Sequence, residues 1–193
     1  RLTEGGFSVQ SVWAMGSETA AIDRAGEAEV NLVVSSVGLP AAEFLRERFG
    51  IPYVVGAPLG DTVSALLLGA LQKSIRTGEN EILPAGMPDA PDTVILGESV
   101  TSRSLAAALL LDYGICAEVI CPVELPRELE GSFCRQIEDE QDLQAALSGA
   151  QRVIADPLFA PIVPQGAQFF PLPHEAYSGR IYRKQIPNLV TTW

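Results

Sequence analysis

Long apolar runs are missing from this chain of 193 residues. The longest, Ala65–Leu68 and Leu105–Leu111, fall far short of the ~18 residues that a membrane-spanning helix needs, so no membrane partner of that kind is expected. Basic charge is also scarce. Thirteen Lys and Arg stand against 24 Asp and Glu, for a formal net charge of −11. Such a field repels polyanions, which argues against nucleic acid and against an anionic membrane surface as partners of the whole chain. The three cysteines form an odd set with no secretory signal, which fits a reducing cytoplasm rather than a disulfide framework. Cys116, Cys121 and Cys134 match no zinc or iron–sulfur spacing. Cys116 and Cys121 bracket an expected strand, which puts their Cα atoms roughly 16 Å apart, too far for one metal or one disulfide. Histidine is scarcer still, with His174 alone. Charged residues make up 19% against 47% hydrophobic, enough to bury a core and to exclude intrinsic disorder.

What is present is an alternation of short apolar runs and amphipathic helices. Val9–Ala14, Asn31–Val34 and Pro52–Val55 read as strands, and Thr19–Ala28 and Pro40–Phe49 as helices. Asp61–Thr77 is the clearest helix. Asp61 is its expected N-cap, Val63, Leu66, Leu67, Ala70 and Leu71 its apolar stripe, and Gly78 its stop. Glu79–Pro91 carries Pro84, Gly86, Pro88 and Pro91 and is expected to hold no regular structure, so residues 81–91 read as a linker. The pattern then restarts. Thr93–Leu96 is a strand, Gly97–Thr101 a turn and Ser102–Tyr113 a helix closed by Gly114. Glu118–Ile120 is a strand, Asp139–Leu147 a helix, and Val153–Ala155 and Phe169–Phe170 are strands. Cys121–Ile137 shows no clear period. Continuously apolar strands separated by helices predict an α/β fold of two doubly wound, mainly parallel, three-layer domains, at 1–80 and 92–193. Arg1–Gly6 reads as a helix end with a glycine stop, so the chain is expected to be a fragment of a longer protein.

Ligands of open α/β sheets bind beyond the carboxyl ends of the strands. Four such places exist. At Ser35-Ser36-Val37-Gly38 the hydroxyls and N–H groups either hold a ligand or cap the next helix. Gly56–Gly60 lacks the spacing of nucleotide loops and reads as a turn. Gly97-Glu98-Ser99 reads as a strand-to-helix turn capped by Ser99, where Glu98 would repel an anionic ligand. The fourth place, Pro171–Lys184, holds His174, Tyr177, Ser178 and the cations Arg180, Arg183 and Lys184. It is either a binding or proton-transfer loop or a surface histidine beside a solvated basic stretch.

Three groups of residues carry a family resemblance. Val30-Asn31-Leu32-Val33-Val34-Ser35, a helix, and then Glu47-Arg48-Phe49-Gly50-Ile51-Pro52-Tyr53 resemble the middle of nitrogenase component 1 subunits. Gly6-Phe7-Ser8-Val9 and the helix start Gly16-Ser17-Glu18-Thr19 fit the same stretch. Phe170–Gly179 resembles that family's C-terminal histidine segment with its Tyr-Ser-Gly. The resemblance implies Rossmann-like domains, of which this chain would hold most of the second and the third. The first domain would supply cysteines for an iron–sulfur cluster at the subunit interface, so the full-length protein is expected to carry a cluster that this fragment lacks. In the family's catalytic subunit a cysteine after the first of these strands holds the iron–molybdenum cofactor. Here Ser35 and Ser36 occupy that region. Serine is a poor soft-metal ligand, so that cofactor is not expected. The histidine segment is about one residue shorter than in that subunit, which implies a pocket residue rather than a metal ligand.

Relatives without the cofactor cysteine reduce tetrapyrroles with electrons from an ATP-driven iron–sulfur reductase. On that model His174 is the expected catalytic proton donor. Ser35, Ser36, Gly97, Ser99, Tyr177, Ser178, Arg180 and Arg183 are the expected substrate contacts, with the two arginines pairing substrate carboxylates. A second component 1-like subunit and the reductase are the expected partners, with a small molecule as substrate. A non-catalytic assembly subunit and an unrelated α/β binding module are the alternatives.

Overall fold

The computed structural model describes residues 1–13, 17–84 and 91–191. Two parallel sheets organise them. The first pairs β1 (Asn31–Val33), β2 (Tyr53–Val55) and β3 (Glu81–Ile82) in the order β1-β2-β3. The second has the order β6-β5-β4-β7-β8, built from β4 (Thr93–Leu96), β5 (Ala117–Cys121), β6 (Cys134–Gln136), β7 (Arg152–Ala155) and β8 (Gln168–Pro171). All its ladders are parallel. The helices are α1 (Ala20–Asp23), α2 (Leu39–Phe49), α3 (Asp61–Thr77), α4 (Ser99–Tyr113), α5 (Glu140–Leu147) and α6 (Gly179–Tyr182).

The strand alternation shows why the second sheet is covered twice. Ile95, Val119 and Cys121 join the core that contains Val100, Leu105 and Ala108 of α4. Their neighbours Val94, Leu96 and Ile120 join a second core with Leu143 and Leu147 of α5. Successive residues of a strand point to opposite faces, so the central residues of a strand buried on both are apolar, as Val94–Leu96 and Val119–Cys121 are. The first core is continuous across both sheets, since it also includes Val54, Val55, Val63 and Leu67.

Several expectations are corrected. Residues 9–13 form no strand, and Ala14 lies outside the described residues, as does Gly16 of the expected helix start. A strand needs a neighbour for its backbone groups, and no described strand pairs with this segment. The helix expected at 19–28 breaks after Asp23 into a short 3₁₀ turn, Ala25–Glu27. Gly26 weakens helix there and lies against Phe49, whose ring carbon would sit 3.0 Å from an added Cβ. Residues 79–84 are not structureless, because β3 adds to the first sheet beside β2 despite the following prolines. Residues 85–90 of the expected linker lie outside the described residues. Gly60 rather than Asp61 is the N-cap of α3, and Asp61 instead pairs with Arg1 at 2.5 Å. Helix α4 begins at Ser99, three residues early, because its cap is Glu98. The stretch 121–137, which shows no clear period, contains a 3₁₀ turn, Arg127–Leu129, and edge strand β6. Residues 2–6 are turns, closed by hydrogen bonds of the kind that end helices. The Phe7 N–H donates to Leu2 O and the Gly6 N–H to Thr3 O, with Gly6 at φ +86°.

Candidate functional site

In the second sheet the chain runs outward from β4 to β5 and β6, then crosses back to β7 on the other side of β4. The crevice between the carboxyl ends of β4 and β7 is therefore the topological switch point, the usual ligand position of such sheets. Two buried carboxylates stand there, Glu98 after β4 and Asp156 after β7, only 3% and 2% exposed.

Glu98 gathers four donors. Oε2 accepts from Thr101 N at 2.9 Å, and Oε1 from Val100 N at 3.1 Å, Ser36 N at 2.8 Å and Ser99 Oγ at 3.4 Å. Burial raises the cost of its charge, but the N–H groups of Ser36, Thr101 and Val100 outweigh that and hold the carboxyl below the ordinary carboxylate range. Asp156 does the same on the other side. Its Oδ1 accepts from Leu158 N at 2.9 Å. Its Oδ2 accepts from His174 N at 2.9 Å, Ser178 N at 3.3 Å and Ser178 Oγ at 2.7 Å. Burial is again opposed and overcome by these donors, and the carboxyl titrates low. Both carboxylates are thus held by the protein itself, and each fixes one wall of the crevice.

The His174 wall carries the reactive groups. The Ala176 N–H donates to His174 Nδ1 at 3.1 Å, which assigns the imidazole proton to Nε2 and makes that atom a donor. Tyr177 stacks edge-on against Phe159, centroids 5.2 Å apart, and lies 6.0 Å from the His174 ring. Its hydroxyl is buried with no hydrogen-bond partner among the described residues. Burial, and then the nearby Cys121, Glu98 and Asp156, push the phenol's pKa up, so it stays a neutral O–H donor. Burial likewise pushes the Cys121 thiol up to about 11. Exposed aliphatic side chains stand on the same loops: Val37 next to Ser36, Leu158 beside Asp156, and Ile181 after Ser178.

The sequence-predicted residues divide accordingly. Ser36, Gly97 and Ser99 meet at Glu98, and His174 and Ser178 meet at Asp156, with Tyr177 electrostatically coupled to both carboxylates. Ser36 contributes its backbone N–H, and its side chain also helps to lower the Glu98 carboxyl. Ser35 occupies an N-cap position and makes no side-chain cap bond there. Ser99 is fully buried behind Glu98. Gly97 lies where an added Cβ would come within 2.6 Å of Ser102 Oγ. Arg180 is exposed on α6, and Arg183 faces Glu175 at 3.6 Å rather than standing free. Gly56–Gly60 is tied to α4, because the Ala57 N–H donates to Ser104 Oγ at 2.8 Å. Sequence reasoning missed Asp156, although an Asp-Pro pair directly after an apolar strand is a helix-start signal. It misjudged Glu98 because Glu is an uncommon cap beside a serine. Two surface clefts of about 630 and 690 Å³ lie elsewhere, along β6 and α5 and at the amino ends of β4, β7 and β8. The switch-point crevice outweighs them because it alone of the three unites buried carboxylates, an imidazole and a phenol.

A family model of nitrogenase component 1 type oxidoreductases matches residues 2–101, just over half of the chain. The chain belongs to that family. No curated protein matches it. A solved structure described as "Nitrogenase Cp1 at pH 6.5" superposes with a TM-score of 0.50 over 86% of this chain at 16% identity, a likeness that establishes the fold alone. The match takes in 44% of that chain, so the present chain spans less than half the length of the protein it matches. The matched family segment includes the Ser36 wall of this component 1-type chain and ends before the His174 wall. Its switch point does not fit an iron cluster. Cys121 is fully buried with its thiol pushed up to about 11, both carboxylates already accept several internal donors, and His174 Nδ1 accepts the Ala176 N–H. Among the described residues no three His, Cys, Asp or Glu side chains group as metal ligands. No described helix is long and apolar enough to cross a membrane.

Proposed function

We propose that this component 1-type chain is the substrate-binding portion of an oxidoreductase subunit. On this reading a small organic, tetrapyrrole-like molecule is reduced at the switch point with electrons from an ATP-driven iron–sulfur reductase. The observation that carries it is the convergence of the Ser36 and His174 walls on two buried carboxylates. The donors on this wall are His174 Nε2–H, the Tyr177 hydroxyl buried beside it and, exposed on α6, the Arg180 guanidinium. Such a set suits a ligand with carbonyl or carboxylate oxygens, and the aliphatic rim of Val37, Leu158 and Ile181 suits its apolar body. His174 Nε2–H donates a hydrogen bond to the oxygen on which charge develops as the substrate is reduced. A partner component 1-like subunit completes the assembly, and the iron–sulfur cluster expected of the full-length protein lies outside the crevice.

The donor set unsuited to a cluster favours one second reading, an assembly subunit without turnover. His174→Ala in the intact subunit, assayed with its partner and reductase, separates the two. Loss of turnover by 10²-fold or more with assembly unchanged is the expected result. Unchanged turnover overturns the catalytic reading.

A further inference from the structure

The first half of α4 does more than cap itself. The carboxyl ends of all three strands of the first sheet are hydrogen-bonded to it. After β1, the Ser36 N–H donates to Glu98 Oε1 at 2.8 Å. After β2, the Ala57 N–H donates to Ser104 Oγ at 2.8 Å. After β3, the Leu83 carbonyl accepts from Arg103 Nη2 at 3.3 Å, while Nη1 of the same guanidinium donates to Leu129 O at 2.9 Å in the second unit. Ser104 Oγ keeps its own proton for Val100 O at 2.8 Å, so its lone pair is free to receive Ala57. Glu98, Ser104 and the two bonded N–H groups are buried, where an unmade bond is expensive. Ala106, Ala107 and Ala108 supply the small surface that lets α4 pack closely in the core shared by both sheets.

This arrangement has two consequences. The carboxyl edge of the first sheet, ordinarily a ligand edge, is closed by the chain itself. The Ser35–Ser36 wall is also placed by a helix that starts from β4 in the second sheet. We infer that Glu98, Arg103 and Ser104 form a three-point clamp that sets the Ser36 wall against the His174 wall, and that they are positioning residues for the crevice. The inference rests on the reading of the crevice as the substrate site. Its test needs no substrate, so the two can fail separately.

The test is native-state amide exchange on the whole chain. In R103M/S104A the Ser36 amide keeps its own acceptor, Glu98. A clamp requires that Ser36 nevertheless exchange at least tenfold faster, with Val54 and Val119 in the two sheets unchanged. An unchanged Ser36 shows that each bond acts locally and overturns the clamp. Acceleration at Val54 and Val119 in step with Ser36 shows general loosening and overturns it too. If the double variant does not fold, E98Q read at Ala57, whose partner Ser104 is intact, gives the reciprocal measurement with the same tenfold criterion.

Discussion

At the residue scale, Asp156 has the largest expected effect. Asp156→Ala leaves the N–H groups of Leu158, His174 and Ser178 and the Ser178 hydroxyl without an acceptor. The expected loss is on the order of 3 kcal/mol, read as a lowered denaturation midpoint. Because His174 is the sole histidine, its ¹⁵N spectrum reports the site directly. The wild type is expected to show a protonated Nε2, and Asp156→Ala a mixture of tautomers as the loop loosens. Tyr177→Phe has the opposite sign for stability. It removes a buried hydroxyl with no partner among the described residues, so the melting temperature should hold or rise by the equivalent of ~1 kcal/mol, while the KM for substrate rises. A fall in stability with unchanged KM would show that the phenol is bonded internally.

At the scale of elements, the second sheet depends on α5. Leu147 is fully buried against Leu96, Ile120 and Val153. Leu147→Ala is expected to cost about 2–5 kcal/mol in chemical denaturation, since the short helix leaves little to collapse into the gap. Helix α4 is the more informative element. Its sequence reads as a helix from Ser102, because the apolar run starts at Leu105 and Ser99 resembles a cap. Its true start at Ser99 depends on Glu98, whose carboxylate is stabilised by Ser36 N–H, a donor 62 positions away in the chain. β3 is hidden from the sequence for a related reason. Two residues next to a proline-rich stretch carry no periodicity, and only the neighbouring β2 makes them a strand. By contrast the span Asp61–Thr77 is legible apart from its cap, because its stripe and its terminal Gly78, at φ +73°, are local features.

At the scale of the molecule, the shared core and the α4 contacts predict one cooperative unfolding transition, with calorimetric and van't Hoff enthalpies in agreement. Two separated transitions would show that the sheets are independent. Acid stability has a definite sign. Glu98 and Asp156 both titrate lower folded than unfolded, so each contributes stability that is fully present above the unfolded carboxylate values, about 4. That contribution is lost as pH falls through their depressed folded values. E98Q and D156N should therefore flatten the fall of the melting temperature below pH ~4. An unchanged profile would show that other groups control acid unfolding.

The sequence by itself determined the alternation of apolar strands and helices, and with it the parallel α/β class. Those depend on periodicity, caps and glycine stops within a few residues of one another. It also named His174, Tyr177 and Ser178 as one segment, because they are neighbours in the chain. What joins Ser36 to Glu98 and His174 to Asp156 only the tertiary structure decided. Those partners are 62 and 18 residues apart, and a carboxylate's choice among distant backbone donors depends on strand order and burial, which no local pattern encodes.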